Sequence, residues 1–343
     1  MRLPRAHARG YKSRESCYYA PVESSEIRRR SCPECVLCGA TGVVRYTGLR
    51  DTLFGAPGEW NVTQCPNPDC GLLWLDPMPI EDDLGLAYQG YYTHDGELVS
   101  GSTRDWRHWL AHQAFRGCLR VVGLDRERER SRRLYLDRLR PGTVLEVGCG
   151  AGQRLARLRD CGWQVQGQEI DPEAARVARE TFGLEVHVGL LAAAELGAAR
   201  FDAVAMNHVI EHVPEPVQLL TECRRLLKPG GTLVVVTPNT DSFLHARFGR
   251  CWRGLEPPRH LHLFSPRTLG KIARRAGFPG PKCWTTAANA FGVAVGSLRI
   301  QTGTGSERVG LRLAGLRLQW QARRAHVRQP ETGEECVLQA TKP

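Results

Sequence analysis

Residues 143–153, TVLEVGCGAGQ, constrain the fold of this 343-residue chain more than any other stretch. An apolar, β-branched run (Val144, Leu145, Val147) carries one carboxylate, Glu146. It ends in glycines at alternate positions, Gly148, Gly150 and Gly152. A helical pattern follows, with Leu155 and Leu158 three residues apart. The pattern predicts a buried strand, a tight turn and a helix N-terminus. Glycine permits positive φ and removes the Cβ, so a ligand can lie against the backbone. The helix start offers unpaired N–H groups to polar ligand atoms. The turn is built to hold a nucleotide-like molecule.

A dinucleotide site would read G-x-G-x-x-G, with the pyrophosphate on the helix N-terminus. Here the third glycine comes one residue early, and Gln153 stands in the fingerprint's place. Glu146, two residues ahead of the glycines, would also repel a pyrophosphate. A carboxylate there suits a ligand with an ammonium group and no phosphate, and S-adenosylmethionine (SAM) is such a ligand. E-x-G-x-G-x-G resembles motif I of the class I SAM-dependent methyltransferases.

The following sequence repeats strand and helix. VQGQEI (165–170) reads as a second strand ending in Glu169, an acid placed to accept ribose hydroxyls. Asp171 and Pro172 read as N-cap and first residue of the next helix. Residues 186–188, 201–206 and 232–237 read as the third, fourth and fifth strands, and GEECVLQATK as the last. Alternating strands and helices specify a parallel sheet covered on both faces, with ligands at the carboxyl ends of its strands. Glu146, Glu169, Asn207 and Asn239 fall at those ends. Ser265 reads as a helix N-cap and Gly277 as that helix's stop, while residues 284–330 read as irregular and basic.

Ahead of this domain lie Cys35-x-x-Cys38-Gly39 and Cys65-x4-Cys70-Gly71. Paired cysteines followed by glycine make a metal knuckle, and two knuckles complete a tetrahedral zinc site. Cys32 is a spare thiol that could replace Cys35. A ribbon this small needs the ion's binding energy to fold. The expected division is a disordered basic tail (1–30), a zinc-ribbon-like module (31–76), a helical connector (77–140) and the α/β domain (141–343). The tyrosines of AYQGYYTH (87–94) read as a docking surface. Trp106, Trp109, Leu110, Phe115, Leu119 and Val122 fall at helical spacing. No apolar run approaches the roughly 20 residues of a membrane helix. The basic N-terminus lacks the apolar core of a signal peptide, so a cytoplasmic protein is expected. The net charge of +11 sits largely in arginine-rich flanks, read as solvated surface rather than a nucleic-acid footprint.

The order VLEVGCGAG, EIDP, FDAV, VIEHV, LKPGG, TPN resembles the class I SAM-dependent methyltransferases over roughly residues 141–280. VIEHV and PRHLHLFS resemble the ubiquinone-type O-methyltransferases and bacterial enzymes of sugar and surface-glycan metabolism. Several of the sugar enzymes are similar in carrying an N-terminal cysteine ribbon. The resemblance implies a Rossmann-like α/β fold, with a seven-stranded, mostly parallel sheet whose last strand is antiparallel. It implies Glu146, Gly148, Gly150 and Gly152 on the methionine part of SAM, Glu169 on the ribose and Asn207 beside the sulfonium. The acid that many relatives place after the third strand is missing from Gly189-Leu190-Leu191-Ala192. Quinone enzymes with E-x-x-E-H associate that motif with a divalent metal, and this chain has His208-x-x-Glu211-His212 instead. The same letters match the H-x-x-E-H peptidase pattern, but Pro214 and Pro216 leave little helix to carry it.

The expected activity is methyl transfer from SAM to a small molecule such as a nucleotide-linked sugar or glycan precursor. Methylation of RNA or protein, with the basic ribbon region as the docking surface, is the alternative. A binding module without catalysis is disfavoured by the intact motif. An acceptor hydroxyl needs a base, and His212, His260 and His262 are the candidates near the rim.

Overall fold

The computed structural model describes residues 26–88, 117, 123–303 and 309–343. Most of the expected basic tail, most of AYQGYYTH and the helical pattern of Trp106 to Val122 lie outside the described residues.

The described chain opens with five short strands, β1 (Arg29–Arg30), β2 (Val43–Leu49), β3 (Trp60–Gln64), β4 (Leu73–Leu75) and β5 (Met78–Pro79). β2, β3 and β4 form an antiparallel sheet, and β1 pairs with β5. Trp60, Val62, Trp74 and Leu75 bury their side chains. They belong to one hydrophobic cluster with Trp252, Leu261 and Phe264 of the larger domain. The ribbon therefore does not stand alone.

That domain begins after helix α1 (Asp125–Arg132). It runs β6 (Thr143–Val147), α2 (Gln153–Asp160), β7 (Gln164–Glu169), α3 (Pro172–Phe182), β8 (Val186–Val188) and β9 (Phe201–Asn207). It continues with α4 (Pro216–Leu226), β10 (Leu227–Pro238), α5 (Phe243–Phe248), β11 (His262–Leu263) and α6 (Pro266–Arg275). It closes with β12 (Lys282–Thr286), α7 (Ala290–Thr302), α8 (Val309–Arg328) and β13 (Glu335–Thr341). Seven strands form one sheet in the order β12-β13-β10-β9-β6-β7-β8. β6 to β10 are parallel, and β13 is antiparallel to both its neighbours. The central strands are buried on both faces, so they read as continuous apolar runs. From β6 the chain moves outward to β7 and β8, then returns to β9 on β6's other side. The crevice above the ends of β6 and β9 is thus the topological switch point, where open α/β sheets bind ligands.

Two findings depart from the sequence reading. Residues 284–330 are not irregular but contain most of β12 and the helices α7 and α8. LRLAGLRLQW puts leucines on both sides of a helix, so no single apolar stripe marks it. Second, β11 leaves the large domain and pairs with β4, so the ribbon sheet takes its fourth strand from beyond the ribbon.

Arg259, fully buried, fastens this joint. It is ion-paired with Asp51 at 2.7 Å and Glu256 at 3.0 Å, donates to the Ala87 carbonyl at 2.7 Å and lies over the Phe54 ring. Removing one partner of a buried ion pair strands the others. Arg259→Met is expected to lower unfolding free energy by about 3–5 kcal/mol in denaturant titration. Arg259→Lys should not restore it, because an ammonium cannot span three acceptors as the guanidinium fork does.

Candidate functional site

The four cysteines of the two knuckles come together. Cys35 and Cys70 sulfurs are 3.7 Å apart, those of Cys38 and Cys65 are 3.4 Å apart, and all four lie within 4.8 Å of one another. A tetrahedral zinc about 2.3 Å from each thiolate sets sulfurs about 3.8 Å apart, so the set fits the ion. Gly39 and Gly71 both adopt φ +71°, which turns each knuckle. Cys32 lies outside the cluster, with its backbone N–H on Asp76. Burial pushes the Cys35 and Cys70 thiols up, so holding them as thiolates requires a cation.

At the switch point β6 ends in the glycine turn. Gly148 and Gly152 have positive φ and are packed. A Cβ on Gly148 would strike Val209, and one on Gly152 would strike Leu184 and Ala178. Gly150 also has positive φ, but a Cβ there would meet nothing within 4 Å. Gly150 is therefore the member of the turn that faces open space. Glu146 is fully buried, and neither of its carboxylate oxygens has a hydrogen-bond partner among the described residues. Burial raises its pKa to about 7, Arg154 opposes this in part, and Glu169 adds to it. Such a group calls for a donor.

Glu169, at the end of β7, accepts three backbone N–H bonds. Oε1 takes Ile170 and Asp171 at 2.8 and 3.0 Å, and Oε2 takes Gly150 at 2.7 Å. A carboxylate has about four acceptor sites, so Oε2 keeps one for a ligand. Glu169 pairs in register with Val188 of β8. Just beyond this pair, Ile170 and Leu190 are 47% and 43% exposed at the same rim. This apolar rim stands where the sequence lacks an acid. Asn207 ends β9 and is buried.

His208, expected from the sequence only as part of an H-x-x-E-H metal or peptidase motif and not as a base, proves to be held in a distinctive place. It follows Asn207 in the left-handed region at φ +54°, a conformation that persists only when its surroundings enforce it. Those surroundings are two buried carboxylates. Nδ1 lies 3.0 Å from Glu211 and Nε2 lies 3.0 Å from Glu335, while the ring is 37% exposed. Thr237 donates to Glu211, and Asn289 donates to Glu335. Burial opposes the charged ring, but the two carboxylates outweigh it and lift His208 to about 9. Burial likewise opposes the Glu211 charge, yet His208 draws that carboxyl down to about 2.

The three histidines expected to serve as bases are placed differently. His260 and His262 are 4% and 3% exposed, in a segment that runs under the ribbon rather than over an open mouth. His260 donates from Nδ1 to the Gly254 carbonyl at 2.7 Å, and His262 from Nδ1 to the Val213 carbonyl at 3.2 Å. Burial depresses both, His262 to about 4. His212 donates from Nδ1 to the Arg259 carbonyl at 3.1 Å, with the Tyr88 hydroxyl 2.9 Å away. Glu211, His212 and His260 bring one ligand atom each within 4.8 Å of the others, a set able to hold a divalent cation. His208 is not a member of that set; it bridges Glu211 to Glu335. H-x-x-E-H sits on a strand end and the short turn Ile210–His212, not on the helix a peptidase requires.

A cleft of about 820 Å³ lies elsewhere, between the ribbon and the α5 region. None of Glu146, Gly150, Glu169, Asn207 or His208 lines it. The chemistry, not the volume, marks the site.

The family model described as "Methyltransferase domain" matches residues 105–279, just over half of the chain. The ubiquinone biosynthesis O-methyltransferase of Cereibacter sphaeroides is 37% identical over 145 residues, covering 39% of this chain and 59% of that protein. Its namesake in Thiobacillus denitrificans is 34% identical over 146 residues, covering 39% and 63%. The chain thus spans about three-fifths of the length of these relatives. A crystal structure of a SAM-dependent methyltransferase from Thermotoga maritima, a possible histamine N-methyltransferase, aligns with a TM-score of 0.43 and 22% identity, over 67% of this chain and 95% of that one. On the family match, the chain belongs to the methyltransferase-domain family.

Proposed function

We propose that the protein methylates a hydroxyl group of a small molecule, with SAM held at the switch point and His208 as the base. One observation carries the donor site. Glu146 is buried with both oxygens unpartnered, beside a turn whose Gly150 opens onto empty space. An α-ammonium would supply the missing donors. When bound, SAM supplies a methyl group already activated on a sulfonium.

The chain's own residues then have separable tasks. Gly150 keeps the backbone open. Glu169 Oε2 accepts a ribose hydroxyl. Ile170 and Leu190 offer apolar surface to a base. Asn207 ends the strand beside the glycine turn, and Val209 packs on Gly148. His208 is therefore held next to the donor site. The acceptor's hydroxyl takes Glu335's place at Nε2 and gives that nitrogen its proton, while Glu211, still on Nδ1, stabilises the imidazolium that forms. Positioning supplies much of the rate in such in-line transfers.

The relatives named for ubiquinone biosynthesis favour a phenolic hydroxyl as the acceptor. The clustered cysteine sulfurs favour a second reading, a nucleotide-linked sugar, because of the resemblance to ribbon-bearing sugar enzymes. On either reading the ribbon (31–76), connector (77–140) and donor-binding domain (141–343) divide the work.

The test is calorimetry of SAM binding to Glu146→Gln and Glu169→Ala, followed by transfer of labelled methyl groups to catechols and to nucleotide sugars. Each charged hydrogen bond lost should cost about 1.5–3 kcal/mol, a loss of roughly ten- to 150-fold in affinity. Unchanged affinity in both variants would remove the site from the switch point.

A further inference from the structure

Helix α8 carries a second apolar face that the described residues leave exposed. Leu318, Gln319 and Ala322 are buried against the protein. On the opposite side Leu313, Trp320 and Val327 stand seven residues apart and are 63%, 47% and 63% exposed. Single exposed apolar residues are ordinary, but these three share one line. At about 100° per residue, Leu313 and Val327 lie about 20° to either side of Trp320. Arg317, Arg324 and Arg328 flank that line at about 40–80° on one side, with Arg312 and Arg323 at about 60–80° on the other. The Arg324 guanidinium lies 4.4 Å from the Trp320 ring centre. The 20 residues of α8 include five arginines and no aspartate or glutamate.

We infer that this face docks on an anionic lipid surface, with the helix lying flat in the interface. A narrow apolar line with a tryptophan at its centre and cations on both flanks suits the headgroup boundary. The leucine, tryptophan and valine enter it while the arginine heads stay at the phosphates. No described helix is long and apolar enough to cross a membrane, so the contact lies on the surface and does not span. A second copy of the chain fits less well, since two such faces would oppose five arginines to five with no acid on either helix. A nucleic acid would meet the arginines but gain nothing from Leu313 and Val327. The inference does not depend on the identity of the methyl acceptor.

The experiment is flotation of the full chain with vesicles of phosphatidylcholine alone, and with about one-third phosphatidylglycerol, at about 0.1 M salt. The protein should float with the anionic vesicles and stay behind with the neutral ones. Arg317→Gln with Arg324→Gln should weaken binding about 25-fold, taking about fivefold per cation. The Arg317→Lys, Arg324→Lys pair should keep it. Leu313→Gln with Trp320→Gln should weaken it at least tenfold by removing the inserted groups. Melting curves should be unchanged throughout, because these side chains are exposed. Failure to float with anionic vesicles, or equal binding by both glutamine pairs, would overturn the inference. So would a dimer in sedimentation that Leu313→Gln with Trp320→Gln dissolves, or vesicle-independent RNA binding lost in the arginine pair.

Discussion

Cys38→Ser is expected to strip the ribbon of its metal and unfold it, whereas Cys32→Ser leaves the metal in place. The four sulfurs of Cys35, Cys38, Cys65 and Cys70 already sit at the spacing of a zinc tetrahedron. Cys32 does not join them. The β2–β4 sheet has few residues with which to offset chain entropy, and structural zinc supplies about 10–16 kcal/mol in comparably small zinc peptides. Metal analysis should therefore find about one zinc per chain in the wild type and in Cys32→Ser, and none in Cys38→Ser. Because β4 pairs with β11, loss of the ribbon would also uncover Leu261 and Phe264. Limited proteolysis should then cut within residues 31–76. SAM affinity should change little, since among the described residues the glycine turn packs on Val209, Leu184 and Ala178, none of them in the ribbon. A metal-free wild type that resists the protease would show that the apolar joint alone holds the ribbon. Metal lost with Cys32→Ser would mean that the ligand set is different.

The parts of this arrangement that were legible in sequence are those carried by neighbours along the chain. The parallel strands announced themselves as apolar runs. Asp171 does accept the Glu173 N–H as an N-cap, and Ser265 does form a capping box, with Thr268 as its partner. The glycine turn was read from spacing alone. What escaped depends on distant residues. Glu335 lies 127 positions from His208, and nothing in HVIEH points to it. The near signal was Glu211, three residues on, and it was read as part of a metal or peptidase motif. In RHLHL, alternation suggested two histidines sharing an open face. Only His262 joins a strand, and that strand belongs to the ribbon sheet, so both rings are covered. Helix α8 was missed for a different reason. It has two apolar faces, and a periodicity that marks one stripe is blurred by the second.

Turnover is expected to rise with pH toward about 9 and to collapse in His208→Gln. With the acceptor absent, the ring is held as an imidazolium between Glu211 and Glu335, which lift it to about 9. A base must first be neutral. Below pH 9 the fraction of competent enzyme therefore falls about tenfold per pH unit. The stability effect has the opposite sign. A histidine whose folded pKa lies above its unfolded value contributes stability that is complete below about pH 6.5 and lost as pH rises through about 9. Activity should thus climb over the range in which the melting temperature slips. A purely structural His208 would show the second trend without the first. His208→Gln preserves a hydrogen-bonding side chain but no base, and should cut kcat by roughly 10²–10⁴-fold with SAM affinity nearly intact. Glu335→Gln should leave a weaker base that needs less alkaline solution, moving the kcat profile to lower pH as the ring loses one of its two carboxylates. Single-turnover rates across pH 6 to 10 with the wild type and these two variants measure all three effects. A flat wild-type profile, or a His208→Gln enzyme of normal kcat, would assign the proton to another group.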